Sequence, residues 1–354
     1  MKKLALAFGV LLAGSAFAAG CSADNPSSEE KNDKLKVYTT IFPLKDFTEK
    51  IGGDLVEVES VYPANADAHS FEPTTKTMVK MAESDAFIYT GAGIEGFADK
   101  AAETIKNEEA EIVKAADGIE LIGAEEHNHE EEAHSEEEHN HEEEAHSEEE
   151  HNHEEDAHSE EEHNHEEDAH SEEEGHTHGD KDPHVWLDPI RSIQMAENIK
   201  DALVKKDPEH KEEYEKNFSS LKAELEKLDQ EFKSTLTELP KKEILVSHAA
   251  YGYWTERYGI EQISVMGLSS SEEPSQKEIK NIIEEAKTHK IQHIIFEQNV
   301  SNKISKVVQN EIGAEPLTIS NLESVTDEDM KNKEDYFSLM RENLTTLKTA
   351  LSGS

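Results

Sequence analysis

The stretch Leu-Lys-Val-Tyr-Thr-Thr-Ile-Phe (35–42), followed by Pro-Leu-Lys-Asp-Phe-Thr-Glu-Lys-Ile (43–51), Gly52-Gly53 and Asp-Leu-Val-Glu-Val-Glu-Ser-Val (54–61), decides the fold class. Its first segment has the β-branched and aromatic composition of a strand. Pro43 suits a first helical turn, Phe47 and Ile51 continue a helical spacing, and the glycine pair stops it. Residues 55–61 then read as a second strand. Strand, short helix and strand imply parallel sheet covered by helices. The texture continues with a helix over 74–83, a strand over 86–90 and a helix over 94–106. It resumes late in the chain, with strands at 243–247, 262–266, 293–297 and 316–319. Helices there are expected at 251–258, 275–288, 302–312 and 328–351.

Between these halves a helix over 190–205 follows Asp188-Pro189, and Asp207-Pro208 breaks it. A longer helix then runs to about residue 239. Its apolar positions Tyr214, Phe218, Leu221, Leu225, Leu228, Phe232 and Leu236 are spaced by three or four, an amphipathic stripe. This helix is either a strut across two lobes or half of a coiled coil. The simplest assembly is an α/β protein with two lobes of parallel sheet flanked by helices, joined by one long rigid helix. In residue terms the lobes are 35–207 and 240–351, with 208–239 between them.

The 354 residues include 80 acidic and 35 basic side chains, for a formal charge of -45. Residues 125–174 hold 26 of the acids and no Lys or Arg, leaving a milder -19 elsewhere. Such a surface repels phosphates, so nucleic acid is not an expected partner and cations are. At the N-terminus, Lys2 and Lys3 precede an apolar run over 4–17, then Ala18-Ala19-Gly20-Cys21. A basic start, a short apolar run and a small-residue cleavage site read as a signal peptide over 1–20. Cys21 is the only cysteine, which excludes internal disulfides. Its setting resembles a bacterial lipoprotein box, implying a lipid (palmitate among the acyl chains) on its sulfur, with residues 21–34 as a tether. The expected location is the outer face of the cytoplasmic membrane.

Within the expected insert 125–179 the unit His-Asn-His-Glu-Glu-Glu-Ala-His-Ser-Glu-Glu-Glu begins at His127, His139, His151 and His163. Asp replaces the third Glu at Asp156 and Asp168. No residue there is apolar and larger than Ala, so the segment cannot build a core, and disorder is expected. Paired His-x-His sites at His127 and His129, His139 and His141, His151 and His153, His163 and His165, and His176 and His178 are candidate auxiliary metal ligands. Fourteen histidines in so short a span exceed what solubility asks for, since Glu would suffice. Metal collection or sensing is the reading.

Six histidines lie outside the insert. His210, His289 and His293 read as ordinary helix and turn residues. His69, in Asn-Ala-Asp-Ala-His-Ser-Phe-Glu-Pro (65–73), follows a strand. His184 occupies the Pro-bounded Asp-Pro-His-Val-Trp-Leu-Asp-Pro (182–189). His248 closes the apolar run Ile-Leu-Val-Ser (244–247), and Glu297 closes Ile-Ile-Phe (294–296). Strand ends are where α/β folds hold ligands, and an acid ending an apolar strand is costly unless paired or metal-bound. Three imidazoles and one carboxylate suit Zn²⁺, and four protein ligands leave no position for an activated water.

The motifs Ala68-His69-Ser70-Phe71-Glu72-Pro73, Asp182 to Pro189, Ser247-His248-Ala249-Ala250-Tyr251 and Phe296-Glu297-Gln298-Asn299 resemble the zinc-binding solute-binding lipoproteins of ABC importers, the ZnuA type of cluster A-I proteins. The resemblance spans residues 35–351. It implies two lobes bridged by a rigid helix, with Zn(II) in the interlobe cleft on His69, His184 and His248 and the fourth ligand on Glu297. It also implies a monomeric, non-enzymatic receptor that serves an ABC-transporter permease with its cytoplasmic ATPase. Manganese-binding relatives carry a carboxylate where this chain has His248, which disfavours manganese or iron. A surface zinc hydrolase with Glu72 as base lacks a His-Glu-x-x-His motif. A zinc-storing adhesin built on the repeat leaves the strand-end motifs unexplained.

Overall fold

The computed structural model describes residues 34–123 apart from 107 and 109, residues 181–298, and residues 303–353. The expected signal peptide, Cys21 and the expected auxiliary histidines between His127 and His178 lie outside the described residues. Residues from Lys34 onward form one compact unit.

In chain order the first half contains β1 (Leu35–Thr39), α1 (Phe42–Gly52), β2 (Val56–Ser60), α2 (Thr75–Ala82), β3 (Ala86–Tyr89), α3 (Ala98–Ile105) and β4 (Glu111–Lys114). These strands form a parallel sheet of order β2-β1-β3-β4. Gly52 sits against Val56, whose methyl carbons would lie 2.4 Å from an added Cβ, so the turn from α1 toward β2 needs glycine. Two expectations change here. Residues 94–97 precede α3 instead of belonging to it, because Glu95 turns inward to the ends of β1 and β3. Its Oε1 accepts the Thr40 hydroxyl at 2.6 Å and the Thr90 N–H at 2.7 Å. The edge strand β4 was not expected: its segment Glu-Ile-Val-Lys offers only two apolar residues, enough where a single neighbour strand must be paired.

Next come α4 (Pro189–Lys206) and α5 (Lys211–Thr237). Asp188 caps α4 by accepting the Ile190 and Arg191 N–H groups, with Pro189 in the first turn. Helix α5 has 27 residues, about 40 Å of rod at about 1.5 Å per residue. Its stripe is not a coiled-coil seam. Tyr214, Leu221, Leu225, Leu228, Phe232 and Leu236 are buried within the protein's own core. The helix packs on α1 and α4 and on elements of the second half.

The second half holds β5 (Glu243–His248), α6 (Gly252–Tyr258), β6 (Glu261–Met266), α7 (Gln276–Thr288), β7 (His293–Glu297), α8 (Lys303–Ile312), β8 (Glu315–Ile319), α9 (Asp327–Asn332) and α10 (Tyr336–Leu351). Its sheet, also parallel, has the order β6-β5-β7-β8, repeating the first. The single helix expected over 328–351 is two, because Lys333 turns left-handed at φ 60° and Asp335 starts α10 with a capping box to Ser338. One large apolar cluster runs through both halves, α5 included. A second cluster, with Leu245, Ile263, Val265, Ile294, Phe296 and Val308, lies under α7 and α8.

The described chain is interrupted between Gly123 and Lys181, which pair in an isolated antiparallel bridge. Beside it the Asp182 N–H donates to the Ile122 carbonyl at 3.1 Å. Among the described residues no helix is long and apolar enough to cross a membrane.

Candidate metal centre

In each sheet the chain reverses its winding between the first and third strands, and ligands of such sheets gather at the carboxyl ends beside that reversal. In the second sheet those ends are His248 on β5 and Glu297 on β7, adjacent strands with Leu245 opposite Ile294 and Val246 opposite Ile295. His69 comes from the loop after β2. His184 precedes the helical turn Val185–Leu187 that feeds α4. Glu323 lies in the loop after β8.

His69, His184, His248 and Glu323 each place one donor atom so that all four lie within 4.8 Å of one another. His69 Nε2 is 3.5 Å and His184 Nε2 3.8 Å from Glu323 Oε1, and the His184 and His248 Nε2 atoms are 3.4 Å apart. Tetrahedral zinc with bonds of about 2.0–2.1 Å needs donors about 3.4 Å apart. His184 and His248 are fully buried, and Glu323 is 2% exposed. Four electron-pair donors facing one buried point repel each other until a cation or a proton stands between them.

The donors of His184, His248 and Glu323 are held from behind. Asp182 Oδ1 accepts the His184 backbone N–H at 2.9 Å and lies 2.8 Å from His184 Nδ1. Glu297 Oε1 lies 2.6 Å from His248 Nδ1. A carboxylate only accepts, so both rings keep a proton on Nδ1 and aim Nε2 inward. Asp67 accepts the His69 N–H at 2.9 Å and the Ser270 hydroxyl at 2.7 Å, and Glu323 Oε2 accepts the Ala68 N–H at 3.2 Å.

Burial pushes the His184 imidazole below its ordinary value, against the pull of Asp182. Burial also opposes charge on His248, but the adjoining Glu297 carboxylate overrides it and pushes that imidazole up to about 9. Burial would raise the Glu323 carboxyl; the hydrogen bond and charge of His69, with the other two imidazoles, bring it down to about 2 instead. The site favours a negative Glu323 and a positive charge facing it.

The structure brings His69, His184 and His248 together and places Glu323, not Glu297, beside their donor atoms. Glu297 stands behind His248, on the ring edge away from the cluster, and Glu323 faces the donors. Glu297 satisfies the cost of ending an apolar strand by pairing, with Ser247 Oγ at 3.0 Å and Asn321 Nδ2 at 2.9 Å besides His248. Glu323, in Asn-Leu-Glu-Ser-Val (321–325), has one sequence signal: it is an acid in a loop just past a strand end. His210 pairs with Asp207 and His289 with Glu243 on the surface, away from this centre.

The chain is 31% identical over 353 residues to the zinc-binding lipoprotein AdcA of Streptococcus pneumoniae strain R6, covering 98% of this chain and 61% of that protein. It spans about three fifths of the length of such streptococcal relatives. It is 32% identical over 334 residues to the high-affinity zinc uptake system protein ZnuA of Bacillus subtilis, covering 94% of this chain and 93% of that one. The crystal structure of the Zn(II)-bound ZnuA-like domain of S. pneumoniae AdcA superimposes with a TM-score of 0.67 at 28% identity, over 90% of this chain and 99% of that domain. The family model described as "ZnuA: Zinc-uptake complex component A periplasmic" matches residues 37–350, and the chain belongs to that family.

Proposed function

We propose that this chain is an extracytoplasmic receptor that captures Zn(II) on His69, His184, His248 and Glu323 and hands it to the permease of an ABC importer with its cytoplasmic ATPase. The observation that carries the reading is the donor set itself. Three imidazole nitrogens and one carboxylate oxygen converge within 4.8 Å of one another in a buried place, the ligand number and type that zinc prefers. Four protein donors fill that shell, so the site holds an ion and has no position for an activated water. That donor set favours a receptor over a hydrolase. An imidazole binds metal only with its lone pair free, so ion capture expels the proton that His248 otherwise retains.

The names of the relatives, among them a lipoprotein and a high-affinity uptake protein, support the same role. In this proposal residues 1–20 are removed, Cys21 carries the lipid, and 21–34 tether a monomer to the outer face of the cytoplasmic membrane. The lobes are 35–207 and 240–351, with 208–239 as strut, and the histidines of 125–179 collect zinc weakly near the centre.

Calorimetric zinc titration of the protein beginning at Ser22, beside its His248→Ala variant, tests this. One tight site plus several weak ones is expected, with only the tight site lost in the variant. A variant that binds like the parent would place the principal zinc site elsewhere.

A further inference from the structure

Asn321, buried two residues past β8, is used by nothing described so far except as a neighbour of Glu297. Its Oδ1 accepts the Glu323 N–H at 3.1 Å. A backbone N–H can only donate, so the amide orientation is fixed and Nδ2 must face Glu297, donating to Oε2 at 2.9 Å. The Asn321 carbonyl accepts the Trp186 indole N–H at 2.8 Å, two residues from His184. Leu322 takes φ 61°, a left-handed turn that brings the Glu323 N–H back to the Asn321 side chain.

We propose that Asn321 is a positioning residue that locks His248 and Glu323 into one unit; this rests on the receptor reading above. Adjacent parallel strands β5, β7 and β8 deliver the parts. From His248 Nδ1 the chain of contacts passes to Glu297 Oε1, from Oε2 to Asn321 Nδ2, and from Oδ1 to the backbone of Glu323. Both ends of this relay face the same point, so an ion there closes it into a ring. Moving the His248 ring breaks its bond to Glu297, and moving the Glu323 backbone breaks its bond to Asn321. The amide is the group this place requires, because one end must donate to a carboxylate while the other accepts from an N–H. Asp keeps the acceptor and sets a second carboxylate against Glu297. Ala leaves both Glu297 Oε2 and the Glu323 N–H short of a partner.

The test is competition for Zn²⁺ against a chromophoric chelator, using the full chain and its variants, with the melting of each zinc-free protein recorded. Asn321→Asp should weaken the tight site about 10–100-fold, the usual effect of removing a group behind a ligand. Adding Glu297→Gln to it restores a donor facing an acceptor, so the double variant should bind more tightly than Asn321→Asp alone. A merely structural role predicts the opposite, a further loss. If Asn321→Asp does not fold, Asn321→Ser is titrated instead. It should show the same loss, with little more on adding Glu297→Gln. Parent-like affinity in the single variant, or losses that simply multiply, overturns the relay while leaving the receptor intact. Absence of a tight site in the parent overturns the receptor reading and the relay with it.

Discussion

Two glutamates, each 2% exposed, stand within reach of His248, and chemistry separates them. Glu297 spends both oxygens on donors of the protein, three hydrogen bonds in all. Glu323 gives Oε2 to a backbone N–H and turns Oε1 to the imidazoles. Glu323→Gln should therefore cost more zinc affinity than Glu297→Gln. The latter leaves the donor set complete and should cost about 10–100-fold. Chelator competition reads both, and equal losses or the reverse order would return Glu297 to the ligand set. His69 and His248 were readable as candidates because each stands in a short motif at or after a strand, and His184 because it stands in a Pro-bounded motif beside Trp186. Glu297 attracted the fourth role on the same logic. Sequence cannot say which of several acids at or past a strand end faces the imidazoles, since that depends on how neighbouring strand ends are splayed and which hydrogen bonds are already taken.

Among the elements, α1 shows how one helix ties the halves. Lys50 pairs with Asp46 on its own helix at 2.9 Å and with Asp335, the cap of α10, at 2.9 Å. Asp46 is buried with Oδ2 lacking a partner, and burial raises its carboxyl to about 6 in spite of Lys50. In the unfolded chain an Asp titrates near 3.9. The folded state then holds the extra proton between about pH 4 and 6, so this group's contribution to stability falls as pH rises through that window. It is absent below about pH 4 and fully unfavourable above about pH 6, where two units correspond to about 3 kcal/mol. Asp46→Asn should remove this slope. Urea midpoints of parent and variant between pH 4 and 7 check it, and a constant difference across the range would refute it. The helices themselves were readable where an apolar stripe or a proline marked them, as in α4, α5 and α7. The break between α9 and α10 was not, because a left-handed Lys333 carries no signature that glycine or proline would have given.

For the whole molecule, the core that runs through both halves and α5 argues against wide opening. The loop of Glu323 is also sewn to the first half: Phe42 N–H donates to the Glu323 carbonyl and Asn65 N–H to the Val325 carbonyl, each at 3.0 Å. An ion binding across such a junction stabilises the folded state by mass action, about 4 kcal/mol when free zinc exceeds Kd a thousandfold. A rise in melting temperature of several degrees is expected on adding zinc, and removing residues 125–178 should leave that rise intact. Its loss on removal would move the tight site into the repeat. The bridge between Gly123 and Lys181 has a consequence of a different kind. The two ends of the histidine-rich insert enter and leave side by side, so one more or one fewer twelve-residue copy displaces no atom of the fold. Asp182, next to the bridge, keeps His184 in place whatever the length of the insert.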